Sequence, residues 1–211
     1  MNLAELRRDY ARAVLDESSA EADPLQQLRR WLNDAADAQV AEPSAMTLAT
    51  ATREGRPSAR IVLLKGLDER GLVFFTDSRS RKGEELAQNP LAALVFWWCE
   101  LERQVRVSGT VTRIAETESE AYYRSRPLGS RLSAWASHQS QVVSGRAALE
   151  AQWEALSRRH AAEAVPKPPY WGGYRVQADE YEFWQGRPNR LHDRLRYRKG
   201  TDGWLVERLS P

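Results

Sequence analysis

The segment that most restricts the fold is RQVRVSGTVTRI, residues 103–114. Val105, Val107 and Val111 fall on one face of an extended chain; Gln104, Arg106, Ser108 and Thr110 fall on the other. A two-residue period held this long marks a strand with one covered face. LAALVFWW (91–98) reads as a buried strand. Further strands are expected at 45–52, 59–65 and 72–76, with one or two in GYRVQADEYEFWQG. NRLHDRLRYR and GWLVERLSP form a closing hairpin around RKGTDG. Helices fill the gaps. Asp23 caps one that starts at Pro24 and carries Leu25, Leu28, Trp31, Leu32 and Ala35. Ser78 or Ser80 caps a short one, ETESEAYYRSR and 130–137 give two more, and 145–160 carries an amphipathic stripe of Leu149, Trp153 and Leu156. About seven strands in two blocks, without regular strand–helix alternation, exclude a doubly wound parallel sheet. The fold class expected is mainly β with packed helices, an antiparallel barrel.

Residues 1–20 read as an arm whose order the sequence leaves open, with LRRDYARAVL as a candidate short helix; 21–211 read as a single domain. The 31 basic and 29 acidic residues nearly cancel, so no global footprint for nucleic acid follows. Cys99 is the only cysteine, which excludes an internal disulfide, suits a reducing compartment and suggests a small core residue. No segment approaches the ~20 apolar residues of a membrane helix. A soluble, cytoplasmic protein is expected. The three histidines are scattered, so no metal site is expected. A glycine-rich dinucleotide fingerprint, a Walker loop and a G-x-S-x-G elbow are all missing.

What remains is a set of short cationic elements. On a strand, NRLHDRLRYR places Arg190, His192, Arg194, Arg196 and Arg198 on one face, and Leu191, Asp193, Leu195 and Tyr197 on the other. RIVLLK brackets an apolar strand with Arg60 and Lys65, whose opposite parity needs a bulge or a departure of Lys65 from the strand. SRSRK sets Arg81 and Lys82 in the first turn of a helix, where phosphate is favoured. YYRSRPLGSR offers Tyr122, Arg126 and Ser130. Each alone reads as a solvated face. Four in one domain suggest one or two ligands carrying more than one phosphate.

EFWQGRPNRLHDRLRY (182–197) closely resembles the C-terminal signature of the pyridoxine/pyridoxamine 5′-phosphate oxidases. RIVLLK, VFFT, SRK, LERQVRVSG, YYRSRP, SAWASHQS and YWGGYRV follow in that family's order, so the resemblance runs over essentially the whole chain. It implies a homodimeric split β-barrel that binds FMN in clefts at the dimer interface, with 170–211 completing site and dimer. It implies oxidation of pyridoxine or pyridoxamine 5′-phosphate to pyridoxal 5′-phosphate, with O₂ as acceptor and hydrogen peroxide as product. A hydride equivalent would leave the 4′ carbon of a substrate stacked on the flavin.

By motif, the resemblance gives as FMN contacts Arg60, Ile61, Val62, Leu63, Leu64, Lys65, Phe75, Thr76, Arg81, Lys82, Gln104, Gln139, Ser140, Trp184 and Arg194. Substrate contacts implied are Lys65, Tyr122, Arg126, Ser130, Arg190, Leu191 and His192, with Arg7, Arg8, Asp9 and Tyr10 in a segment able to close over the site. Arg190 and His192 are the implied catalytic pair: Arg190 by positioning and electrostatics, His192 by orienting the substrate or moving a proton. Phe75 stands where many members have Tyr, so a contact through that hydroxyl is lost. Arg196 and Arg198 match no contact and are assigned to solvent. A flavin oxidase of phenazine biosynthesis and a non-enzymatic flavin binder are the alternative readings.

Overall fold

The computed structural model describes residues 1–6, 9–160 and 165–211. Among them are nine strands: β1 Ala45–Ala51, β2 Pro57–Leu63, β3 Gly66–Asp68, β4 Gly71–Asp77, β5 Leu91–Trp98, β6 Arg103–Arg113, β7 Trp171–Gln185, β8 Asp193–Lys199 and β9 Trp204–Arg208. They form one antiparallel sheet of order β2-β1-β5-β6-β7-β4-β3, with β8 on β7 and β9 on β8. Five α-helices accompany them: α1 Pro24–Asp37, α2 Arg81–Gln88, α3 Glu116–Ser125, α4 Leu128–Ala136 and α5 Arg146–Arg159.

The alternation that opened the reading holds in β6: Val105, Val107 and Val111 are buried while Arg106 and Thr110 are exposed. The stretch expected as one or two strands is the single 15-residue β7. β6 pairs along it, β4 pairs with its first part and β8 with its last. The β6–β7 register shifts between Ser108 and Gly109. A Cβ on Gly109 would stand 2.1 Å from the Gln177 carbonyl oxygen, so the bulge needs glycine. The sheet curls into a half-barrel in which β2 and β4, distant in the sheet order, come together. The Lys65 N–H donates to the Val73 carbonyl at 2.8 Å, just past the end of β2.

α1 closes the core. Its cap is as expected: the Asp23 carboxylate accepts the Leu25 N–H at 2.9 Å, and Pro24 occupies the first turn. Leu28, Trp31 and Ala35 are buried, and Trp31 meets Phe183 of β7 edge-on at 5.3 Å. Burial of a side chain such as Leu28 or Phe183 contributes roughly 1.5–3 kcal/mol.

Three expectations are corrected. Cys99 is exposed in the turn between β5 and β6 and is not a core residue, because the buried run ends at Trp98. The arm forms no α-helix over its described residues: Leu3–Glu5 is a 3₁₀ turn, and residues 9–15 run along the domain until Leu15 enters the core. NRLHDRLRYR is not one strand. β8 begins at Asp193, opposite Gln185 where β7 ends, so the residues before it have no strand to pair with. Pro188–Arg190 is a 3₁₀ turn, with Asn189 and Arg190 left-handed at φ 56° and 61°. Strand parity therefore does not align Arg190 and His192 with Arg194. α5 forms, but buries none of its residues.

Candidate active site

Where β2 meets β4, a cleft of about 430 Å³ opens. Its floor and walls take Ile61, Val62, Leu63 and Lys65 from the end of β2, Phe75, Thr76 and Asp77 from β4, and Lys82 from α2. Tyr122, Arg126, Gln139 and Trp171 complete it together with Ser133, Ala134 and Ser137 at α4. The parity conflict between Arg60 and Lys65 is resolved by the chain leaving β2 after Leu63, which frees Lys65 to reach the cleft.

One side of the cleft is aromatic. Phe75 stacks on Tyr122 with centroids 4.0 Å apart and on Trp171 at 5.2 Å, all three rings nearly parallel. The Arg126 guanidinium lies 4.7 Å over the Trp171 ring. One terminal nitrogen of Arg126, Nη1, is buried with no hydrogen-bond partner, and burial lowers the pKa of this guanidinium. A buried donor left open costs free energy unless a ligand takes it.

The other side is polar. Ser80 caps α2 as expected, its hydroxyl accepting the Gly83 N–H, and Lys82 follows in the first turn. Lys82 Nζ is buried and donates to Gln139 Oε1 at 2.9 Å and Thr76 Oγ1 at 3.2 Å. Burial, then the nearby Arg60, push its pKa down to about 8. Behind it, Glu85 is buried and accepts hydrogen bonds from Thr50 and Ser58 while pairing with Arg60 at 3.4 Å and Arg81 at 2.9 Å. These partners overcome its burial and hold its pKa down at about 2. Asp77 is paired with Arg79 at 2.8 Å, so Arg60, Arg81 and Lys82 against Glu85 leave this end cationic.

A second pocket, of about 530 Å³, lies between the arm and the turn after β7. Asp9 and Tyr10 line it from the arm, Arg187, Asn189, Arg190 and His192 from the turn. Tyr10 packs edge-on against Trp184 at 5.7 Å and His192 at 5.8 Å. His192 Nδ1 accepts the Arg187 N–H at 3.1 Å, which puts the neutral ring's proton on Nε2. Burial and then Arg190 lower its pKa, against an opposing pull from Asp193. Gln104, Trp184 and Arg194 form one cross-strand row over β6, β7 and β8. Arg194 pairs with Glu182 at 2.9 Å.

The sequence-predicted residues thus fall into two groups that share no lining residue. Leu64 is buried in the core, away from the cleft lining; Ser130 lies in α4 but does not line the cleft; Ser140 and Leu191 are exposed. Arg7 and Arg8 lie outside the described residues. Arg196 and Arg198, assigned to solvent, both pair with Glu207 at 2.8 and 3.0 Å. The motif YWGGYRV assigns Trp171 no role, and only the fold brings this ring beside Tyr122.

Residues 32–160 match the family model described as pyridoxamine 5′-phosphate oxidase, and residues 171–211 match that of the pyridoxine 5′-phosphate oxidase C-terminal dimerisation region. This chain belongs to the pyridoxamine 5′-phosphate oxidase family. Pyridoxine/pyridoxamine 5′-phosphate oxidase of Ralstonia pickettii is 61% identical over 211 residues, spanning 100% of this chain and 99% of that protein. Its counterpart from a Cyanothece species is 55% identical over the same shares. Among solved structures, PhzG from Burkholderia lata 383, in complex with tetrahydrophenazine-1-carboxylic acid, superposes with a TM-score of 0.90 at 36% identity, covering 96% of this chain and 100% of that one. A pyridoxamine 5′-phosphate oxidase-related, FMN binding protein from Nostoc punctiforme shares the fold at 20% identity and a TM-score of 0.68, covering 86% of this chain and 97% of that one. The curled sheet is the family's split β-barrel, and the chain is an oxidoreductase. Among the described residues, no helix is long and apolar enough to cross a membrane.

Proposed function

We propose that this chain is a cytoplasmic, FMN-dependent oxidase that converts pyridoxine and pyridoxamine 5′-phosphates to pyridoxal 5′-phosphate, with O₂ as acceptor and hydrogen peroxide as product. Ammonia is released from the amine. The observation that carries the reading is the cleft, which is lined by Lys65, Lys82 and Arg126, the last with its Nη1 open, while Arg60 and Arg81 sit on Glu85 behind Lys82. Two phosphate monoesters, one on cofactor and one on substrate, match that arrangement.

The residues present fit FMN. Lys82, Arg60 and Arg81 would hold its phosphate, with Thr76, Ser140 and the backbone of 61–65 beside it; Gln104 and Gln139 suit the ring's polar edge. FMN supplies the two-electron acceptor chemistry when bound. The chain's own residues do the rest. Lys65, Tyr122, Arg126 and Ser130 would grip the substrate phosphate. Arg190 and His192 would hold the ring, His192 presenting the Nε2–H that its bond from Arg187 implies.

A homodimer fits the distances, and the match of 171–211 to a dimerisation region supports it. Trp171 and Trp184 lie 13 positions apart on β7, about 40 Å of strand at ~3.3 Å per residue. A single flavin does not span that, so the row at Trp184 would serve a cleft on the partner protomer. The outer sheet face supports this: Ile61, Leu91 and Trp97 are 63%, 58% and 49% exposed, and Ile61 faces Thr47, which faces Val95.

An oxidase of reduced phenazine precursors is the second reading, favoured by the likeness to PhzG. The test is to purify the protein, look for bound flavin absorbance, and feed each B6 5′-phosphate at an oxygen electrode. Stoichiometric peroxide and an aldehyde product support the first reading. A yellow protein that oxidises neither sinks it.

A further inference from the structure

Glu102 occupies an unusual place. It sits in the tight turn between β5 and β6 with φ at 55°, in the left-handed region that suits glycine, yet it is an acidic residue only 5% exposed. A strained, buried acid at a turn calls for a compensating contact. That contact is the N-terminal arm. Glu102 Oε2 accepts the backbone N–H groups of Ala11 at 2.9 Å and Arg12 at 3.0 Å. The next residues are held in the same way: Arg187 Nη1 donates to the Ala13 carbonyl at 3.1 Å, and Asp193 Oδ2 accepts the Leu15 N–H at 3.1 Å.

The clasp has a consequence one residue upstream. Fixing the N–H groups of Ala11 and Arg12 fixes where Tyr10 leaves the chain, and Tyr10 lands against Trp184 and His192. The landing surface is cleared for it. A Cβ at Gly186 would come within 2.7 Å of Tyr10 Cβ, and the Gly186 N–H is tied to the Glu102 carbonyl at 2.8 Å. The same residue therefore holds both the arm and the backbone on which its tyrosine rests.

We propose that Glu102 is a positioning residue of the oxidase reaction: its carboxylate seats Tyr10 over the His192 pocket, and so closes the pocket around the substrate ring. This rests on the function proposed above. Glu102 does not touch substrate; it acts through Tyr10.

Glu102→Gly tests it without threatening the fold, because glycine relieves the left-handed strain while deleting the clasp. Trypsin cleavage after Arg12 should accelerate about tenfold or more, since two charge-assisted hydrogen bonds are lost. KM for pyridoxine 5′-phosphate should rise about tenfold with kcat within about twofold. Glu102→Gln keeps an oxygen that can accept both N–H groups and should restore most of the protection and of the KM. Tyr10→Ala should raise KM similarly, and adding Glu102→Gly to it should raise KM no further, because the two act as one unit. Unchanged cleavage in Glu102→Gly, or full additivity with Tyr10→Ala, overturns the proposal. If the parent binds flavin but oxidises no B6 phosphate, the proposed function fails, and the cleavage rates still decide whether Glu102 seats the arm.

Discussion

The guanidinium carbon of Arg126 lies over the ring of Trp171, 4.7 Å from its centroid, with Nη1 buried and unpartnered. The ring face holds the cation electrostatically, and the open nitrogen is a donor that a phosphate could take. Arg126→Ala should lower kcat/KM for pyridoxine 5′-phosphate about 10- to 100-fold, chiefly through KM. Trp171→Leu should cost about 3- to 10-fold, because the charge remains but its orientation is loosened. Steady-state kinetics with each variant check both values.

Lys82 makes flavin binding depend on pH. Burial and Arg60 hold its pKa at about 8, below an ordinary lysine, so its charge is already fading where other lysines keep theirs. A phosphate dianion favours the charged form. FMN affinity should therefore hold steady below pH 8 and fall as pH rises through it, by up to about tenfold per unit. Fluorescence titration of apoprotein from pH 7 to 9.5 gives the profile. Lys82→Met should bind FMN more weakly and abolish this step.

His192 should act as a neutral imidazole. Its Nδ1 accepts from the Arg187 N–H, a bond that a protonated ring would forfeit, and burial with Arg190 lowers its pKa. The acid limb of the kcat/KM profile should thus fall below the pH where an ordinary histidine titrates, with activity lost as pH drops through it. His192→Asn should cut kcat strongly and erase that limb, a comparison made with pH-rate profiles of parent and variant.

The outer sheet face should carry the dimer. Leu91→Asp with Trp97→Asp places two charges on an apolar surface that is about half exposed and outside the cleft lining. Sedimentation should show monomer. Flavin binding should weaken in parallel, since the row of Gln104, Trp184 and Arg194 would no longer reach a cleft. A monomer that holds FMN as tightly as the parent contradicts the shared site.

Arg196 and Arg198 serve as the contrast. Both are occupied by Glu207 on the neighbouring strand. Single alanine variants should leave kcat/KM within about twofold, as exposed ion pairs of this kind contribute little.

Much of this molecule was legible in its sequence because the signals were local. The period of two in 103–114, the Asp23–Pro24 helix start and the Ser80 cap all depend on near neighbours along the chain, and all three form as expected. The motifs of the family resemblance likewise marked most of the residues that line the two pockets. The failures were non-local. Cys99 looked like core because its neighbours are apolar, yet the turn carries it outward. NRLHDRLRYR has the alternation of a strand, but a strand exists only where a partner runs beside it, and β7 ends at Gln185.

Sequence by itself determined the family, the fold class and the chemical character of each site residue, since those follow from residue type and order. Tertiary structure alone decided which of those residues meet. It brought Lys65, Lys82 and Arg126 into one cleft and set Arg190, His192 and Tyr10 in another, at opposite ends of the longest strand. It also found work for Glu102 and Trp171. The reason is physical: hydrogen bonds and ring contacts join groups many residues apart, and only the curl of the sheet sets those separations.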